Sequence, residues 1–284
     1  MDSLIQFIDP SFDEYQVQYY DLSLRANLKG FSFCVTDSRT SRFLVFKSVE
    51  PGSALQKRKW AEKLIELISK EELLLSPFRK VKWMFESPWA CLVPNTLFLP
   101  EKAETYFNFN LPGLNGIKIF YHTIGGTDFT CVYGIPESIV DFAGKIFQFP
   151  VFYHQAISFI KTSLMQTGIT SFQKIYVTMY TDFLDMLVLE KEKLLLYNTF
   201  SFTTASDALY FVLLAFERLN LDREKAVLCL SGQVQKKSEF TELIRKYVKN
   251  IHFSHFSTVV PPHFPLKDNE TMKHQQLFNL FQCE

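Results

Sequence analysis

The chain has 284 residues, 47 % of them apolar and 21 % charged, which excludes wholesale disorder and suits one large or two medium domains. Thirty basic residues balance thirty acidic ones, and this neutrality disfavours a general affinity for DNA or anionic membrane. Phe is abundant at 30 residues, and Gly, at 10, has roughly half its usual share.

The first residues mix acids with aromatics (Phe7, Phe12, Tyr15, Tyr19, Tyr20) and lack the basic-then-apolar order of a signal peptide. They are expected to form a short edge element docked by Phe7 and Phe12, or a partner-binding arm. Leu22, Leu24 and Ala26 then alternate with polar residues, Lys29-Gly30 turns the chain, Phe31, Phe33 and Val35 alternate again, and Phe43 to Val49 returns. This predicts a three-stranded antiparallel meander. Pro51-Gly52 ends it. Ser53 and Gln56 predict a capping box opening a helix to about Leu74, with Ala61, Leu64, Ile65 and Ile68 on its apolar face. A strand follows at Val81 to Phe85, stopped by Ser87-Pro88, and a short helix at Glu101 to Phe107.

Between residues 111 and 164 lies extra material. Ile117 to Ile124 and Phe129 to Tyr133 flank the hairpin turn Gly125-Gly126-Thr127. Ile139, Val140, Ala143 and Phe147 mark a helix, and another from His154 to about Gln166, ended by Gly168, is expected to bridge two halves. A second meander reads from Ile175 to Thr181, Leu184 to Glu190 and Leu194 to Phe202. Thr204 and Asp207 cap a helix, Ala226 to Leu230 makes a strand, Phe240, Leu243, Ile244 and Tyr247 mark a helix, and Ile251 to Phe256 a last strand. Pro261-Pro262 and Pro265 form a rigid loop before a terminal helix from Glu270. The order strand-strand-strand-helix-strand-helix thus occurs twice, at a nearly constant offset. A duplication of pattern is expected, with halves 1–166 and 167–284 and the terminal helix packed back on the first.

This doubled order resembles the actin-like ATPase superfamily, built from two ribonuclease-H-like halves around a nucleotide cleft. The stretch Phe129-Thr130-Cys131-Val132-Tyr133-Gly134 with Ile139 to Leu164 resembles the link of its pilus-assembly and secretion-platform branch. The Phe-rich chain also resembles a bacterial family of actin-like ATPase fold with no assigned function. The resemblance implies an α/β fold of mixed sheets, with two ribonuclease-H-like halves. Active members grip phosphate with a first-hairpin turn of Asp-x-Gly-Thr or Asp-x-Gly-Ser type, whose Gly lets amides approach and whose Asp holds the metal through water. Here the first turn offers Lys29 and Gly30 but no Asp, and the second offers Thr181 and Asp182 but no Gly. Ser231-Gly232, after an apolar strand, resembles the adenosine-side motif with one Gly where two are common.

Other constellations carry less. His252, His255 and His263 suit solvated histidines better than metal ligands, because strand positions three apart face opposite sides. Asp182, Asp185 and Asp207 do not make a two-metal nuclease site, since the strand from Ala226 to Leu230 has no acid. No serine-hydrolase elbow, Walker A or Rossmann fingerprint occurs. The five cysteines lie far apart without a C-x-x-C, and the strongest apolar run, Ala208 to Phe216, is too short to span a bilayer. A cytoplasmic scaffold or adaptor is expected, with a protein partner, no nucleic acid, no membrane insertion, no metal and no cofactor. The alternative is a divergent ATP-binding enzyme using Lys29, Thr181, Asp182, Ser231 and Gly232 with ATP and Mg²⁺.

Overall fold

The computed structural model describes residues 3–27, 29–50, 60–167, 173–253, 266 and 268–283. In chain order the strands and helices are β1 (Ser3–Ile8), β2 (Tyr20–Asn27), β3 (Gly30–Asp37), β4 (Arg42–Glu50), α1 (Trp60–Ser69), β5 (Lys80–Phe85), β6 (Ala90–Pro94), α2 (Ala103–Asn110), β7 (Ile117–Thr123), β8 (Phe129–Pro136), α3 (Glu137–Ile146), β9 (Val151–His154) and α4 (Gln155–Thr167). Then come β10 (Lys174–Met179), β11 (Phe183–Glu190), β12 (Lys193–Ser201), α5 (Ala205–Arg218), β13 (Val227–Gly232), α6 (Glu239–Ile244), β14 (Asn250–Phe253), α7 (Asp268–Lys273) and α8 (Gln275–Leu280).

The predicted meanders are present, and each begins its own sheet. One sheet has the order β1-β4-β3-β2-β5-β9 and the other β12-β11-β10-β13-β14. Without β1, the two have the same strand order and directions: an antiparallel meander, then two strands added in parallel. β1 adds antiparallel to β4, with Phe7 and Phe12 packed against the core, so the N-terminal segment is a docked edge element. A third sheet, β6-β8-β7, is inserted between β5 and β9.

Alternation along β2 and β3 sends Leu22, Leu24, Phe33 and Val35 into the core. The opposite face is polar, with Ser23, Arg25, Ser32 and Thr36, yet it is also buried. α8 lies across that face and also contacts α4, so the C-terminal helix does pack on the first half. Phe278 meets Phe43 edge-on at 5.6 Å and lies 5.3 Å from Phe46. Buried Lys82 donates to the carbonyls of Leu280, Phe281 and Cys283, satisfying groups that a helix end leaves open. α4 touches both β9 and β11, which makes it the expected bridge.

Several expectations shift. β6 and β9 were not legible: each is four or five residues long and carries no alternation. The helix expected to reach Tyr247 ends at Ile244, where bonds from Lys246 and Tyr247 tighten to the i−3 carbonyl and leave Tyr247 exposed. The terminal helix is two short ones, interrupted at His274. The Thr204–Asp207 capping box is present. The Ser53–Gln56 box, the Gly168 stop, His255, His263 and the prolines at 261, 262 and 265 lie outside the described residues.

Phe278→Ala is expected to cost about 3–5 kcal/mol of stability, as truncation of a buried Phe does, read as an earlier unfolding midpoint in urea. A midpoint within error of the parent would mean that α8 is not anchored through its aromatic contacts.

Candidate functional site

Three chain reversals meet between the two large sheets. β2 ends at Asn27 and β3 starts at Gly30, β5 runs out into Glu86-Ser87-Pro88-Trp89, and β10 turns into β11 through residues 180–182. They wall a cleft of about 430 Å³, to which α1 adds Trp60. Such a volume suits a small molecule or a single inserted side chain.

Aromatic rings dominate the walls. From the first half, Phe85 lies 5.6 Å from Trp60 and stacks with Trp89 at 6.1 Å. From the second, Tyr180 and Phe183 stack at 4.4 Å. Phe183 is the residue after Asp182, so the tight turn itself delivers its ring to the cleft.

Many of the amides around the cleft are bonded within the chain. The Lys29 N–H donates to Asn27 Oδ1 at 2.8 Å, and the Tyr180 N–H to the Phe183 carbonyl at 2.9 Å. The Glu86 N–H donates to Ala26 O at 2.9 Å, the Ser87 N–H to Gln155 Oε1 at 3.2 Å, and the Trp89 N–H to Ser87 Oγ at 3.2 Å. A phosphate cradle works because such amides are free to point at the anion.

Polar groups hold the floor together. Glu86 is buried; it accepts from Asn27 Nδ2 at 2.7 Å and lies 3.4 Å from Arg25, whose guanidinium also donates to Lys273 O. Gln155, at the start of α4, ties the halves. Its Nε2 donates to Ser87 O at 2.6 Å and to Asp185 Oδ2 at 3.3 Å. Asp185 also accepts from Thr199 at 2.6 Å and Tyr197 at 3.2 Å. Burial dominates those bonds and pushes its carboxyl up to about 6. Burial likewise holds His154 down at about 3, so its neutral ring donates from Nε2 to Ser87 O and accepts the Ala156 N–H at Nδ1.

The structure brings Lys29, Thr181 and Asp182 together on the cleft wall. Gly30 ends the same turn; a Cβ there would lie 2.1 Å from the Val49 carbonyl, so its smallness serves the approach of β3 to β4. Ser231 and Gly232 lie behind the second turn and do not line the cleft. Ser231 Oγ bonds Thr178 Oγ1 at 2.8 Å, and Gly232, at φ +81°, leaves room for the Met179 carbonyl. Thr181 reaches the same region, donating to Gln233 Oε1 at 3.2 Å. The aromatic lining was not foreseen. Its one sequence signal was the strand stop at Ser87-Pro88 with Trp89 following.

Asp207 is taken up by the α5 cap, and Asp185 is enclosed, so the three acids weighed for nuclease chemistry do not meet. Among the described residues no group of three His, Cys, Asp or Glu side chains is placed to hold a metal ion, and no helix is long and apolar enough to cross a membrane. None of the five cysteines is in a disulfide.

Residues 9–251 match the family described as "Protein of unknown function (DUF3822)", and the chain belongs to that family. No curated protein matches it significantly. Among solved structures, it is similar to a protein of actin-like ATPase fold and unknown function from Bacteroides thetaiotaomicron. The TM-score is 0.84 with 21 % identity, over 96 % of this chain and 99 % of that one. It is also similar to a chain of the PilM–PilN type IV pilus biogenesis complex, at TM-score 0.58 and 12 % identity, over 92 % and 97 % of the two chains. The fold is therefore the actin-like ATPase fold, with two ribonuclease-H-like halves of mixed α/β structure, as the doubled strand order implied.

The raised carboxyl of Asp185 sets a pH expectation. Its folded value of about 6 exceeds the ordinary aspartate value of 3.8, so the folded state holds the proton more tightly. Its contribution is therefore most favourable below about pH 4 and is lost as pH rises through 6, a change of about 3 kcal/mol. Urea midpoints of parent and Asp185→Asn between pH 4 and 7 test this. The parent is expected to lose stability relative to the variant as pH rises, and parallel curves would contradict it.

Proposed function

We propose that this DUF3822 protein is a cytoplasmic scaffold or adaptor, divided near residue 166, that binds another protein and does not turn over ATP. One observation carries the proposal: the Lys29 and Tyr180 amides of the two hairpin turns, where the fold's active members grip phosphate, are spent on bonds within the chain. Phosphoryl transfer depends almost wholly on positioning and charge stabilisation, and spent amides offer neither. The first turn also lacks the metal-holding Asp, and the second carries bulky Phe183 beside Asp182. Cysteines outside any disulfide suit a reducing compartment, and burial pushes the Cys34 thiol up to about 12 and that of Cys91 to about 11. The similar chain solved in a PilM–PilN complex gives the fold a precedent for holding a protein partner. Balanced charge argues against nucleic acid as the partner.

The competing reading, a divergent ATP-binding enzyme, draws on one observation: Lys29 and Asp182 share the cleft wall. Calorimetry with ATP and Mg²⁺, together with a phosphate-release assay, separates the two. The expected result is no turnover above background and no micromolar binding. Micromolar binding abolished by Lys29→Ala and by Asp182→Ala, with turnover, would overturn the scaffold and install the enzyme.

A further inference from the structure

The cleft has a chemical preference of its own. Trp60, Phe85 and Trp89 from one half and Tyr180 and Phe183 from the other present ring systems around one space. Four charged groups stand at or behind it. Asp182 is exposed at the wall, and Glu86 is buried at the floor. Lys29 also lines the wall, on a long stem that can swing to water. Arg25 is buried behind Glu86 and already donates to Lys273 O. Glu86 Oε2 is enclosed without a hydrogen bond among the described residues, its charged neighbour Arg25 standing off at 3.4 Å.

An anion entering this space meets the exposed Asp182 carboxylate and finds the Lys29, Ser87 and Tyr180 amides already bonded. A neutral apolar group would fill it and leave Asp182 unanswered. A planar cation satisfies both features, because a guanidinium stacks on aromatic faces and donates a fork of N–H groups to carboxylate oxygens. Its stem is also slim enough to pass between two aromatic walls.

We propose that the cleft receives an arginine side chain presented by the protein partner, its guanidinium stacked among the cleft aromatics and directed at Asp182. This deepens the adaptor reading and rests on it for the partner. An ammonium group would be held less well, since it neither stacks nor forks.

The chain has three tryptophans, Trp60, Trp83 and Trp89, and two of them line the cleft, so its own fluorescence reports occupancy. The full chain is titrated with N-acetyl-arginine amide, with the N-acetyl-citrulline amide that keeps the shape and lacks the charge, and with ATP and Mg²⁺. The expected result is a saturable change with the arginine compound, about tenfold weaker with citrulline. Asp182→Asn is expected to weaken the arginine response by about tenfold, with an unchanged circular dichroism spectrum, because the side chain is exposed and makes no hydrogen bond or ion pair among the described residues. Equal responses to arginine and citrulline, no saturable response to arginine, or an Asp182→Asn response equal to the parent's would each overturn the inference. Binding of ATP and Mg²⁺ in competition with arginine would instead strike the adaptor reading while leaving the cation preference standing, so the two failures are distinguishable.

Discussion

The side chain of Gln155 is the joint on which the cleft depends. It sits where β9 passes into α4, and it bonds Ser87 twice and Asp185 once. Ser87 follows β5, the parallel strand beside the first meander, and Asp185 lies on β11, the first return strand of the second. One buried amide therefore spans both halves and sets how far apart their turns stand. A buried amide left without these partners would cost on the order of 1–3 kcal/mol, so the spacing is enforced as well as permitted. His154 adds a second bond to Ser87 O from the adjoining residue, and its neutrality, a consequence of burial, lets one nitrogen donate while the other accepts.

That joint has a chemical consequence. Holding Ser87 in place ties its amide to Gln155, and Trp89 in turn bonds Ser87 Oγ. The Asn27 side chain takes the Lys29 amide and braces Glu86 at once. The space is faced by ring surface, the Asp182 carboxylate and the Lys29 side chain, with the Lys29, Ser87 and Tyr180 amides turned away into bonds of their own. On the proposed reading, a handful of side chains at these turns sets what the cleft accepts without any change of sheet order.

The fold was legible because its signal is periodic. Leu22, Leu24 and Ala26, then Ile175 and Val177, mark the first strand of each meander, and the second set of elements repeats the order of the first. The polar half of that alternation left one thing unread, because Ser23, Arg25, Ser32 and Thr36 are buried on the face that α8 covers. Burial of a polar face depends on a helix more than 200 residues away, which local pattern does not encode. The site was legible at Lys29, Thr181 and Asp182, because turn residues announce themselves. It was not legible at Trp60, Glu86, Trp89 or Tyr180, which converge from distant segments and bear no shared spacing. Ser231 and Gly232 looked like ligand contacts and serve the close approach of β13 to β10, a role that the same letters fill equally well.

The central claim is that the Lys29, Ser87 and Tyr180 amides are engaged inside the chain and unavailable to phosphate. Backbone amide resonances of Lys29, Ser87 and Tyr180, followed by NMR as ATP and Mg²⁺ are added, test it most directly. The account predicts that all three stay in place through the titration and that their exchange with solvent is unchanged. A saturable downfield shift of Lys29 and Tyr180 together, the mark of amides turning to an anion, would contradict it.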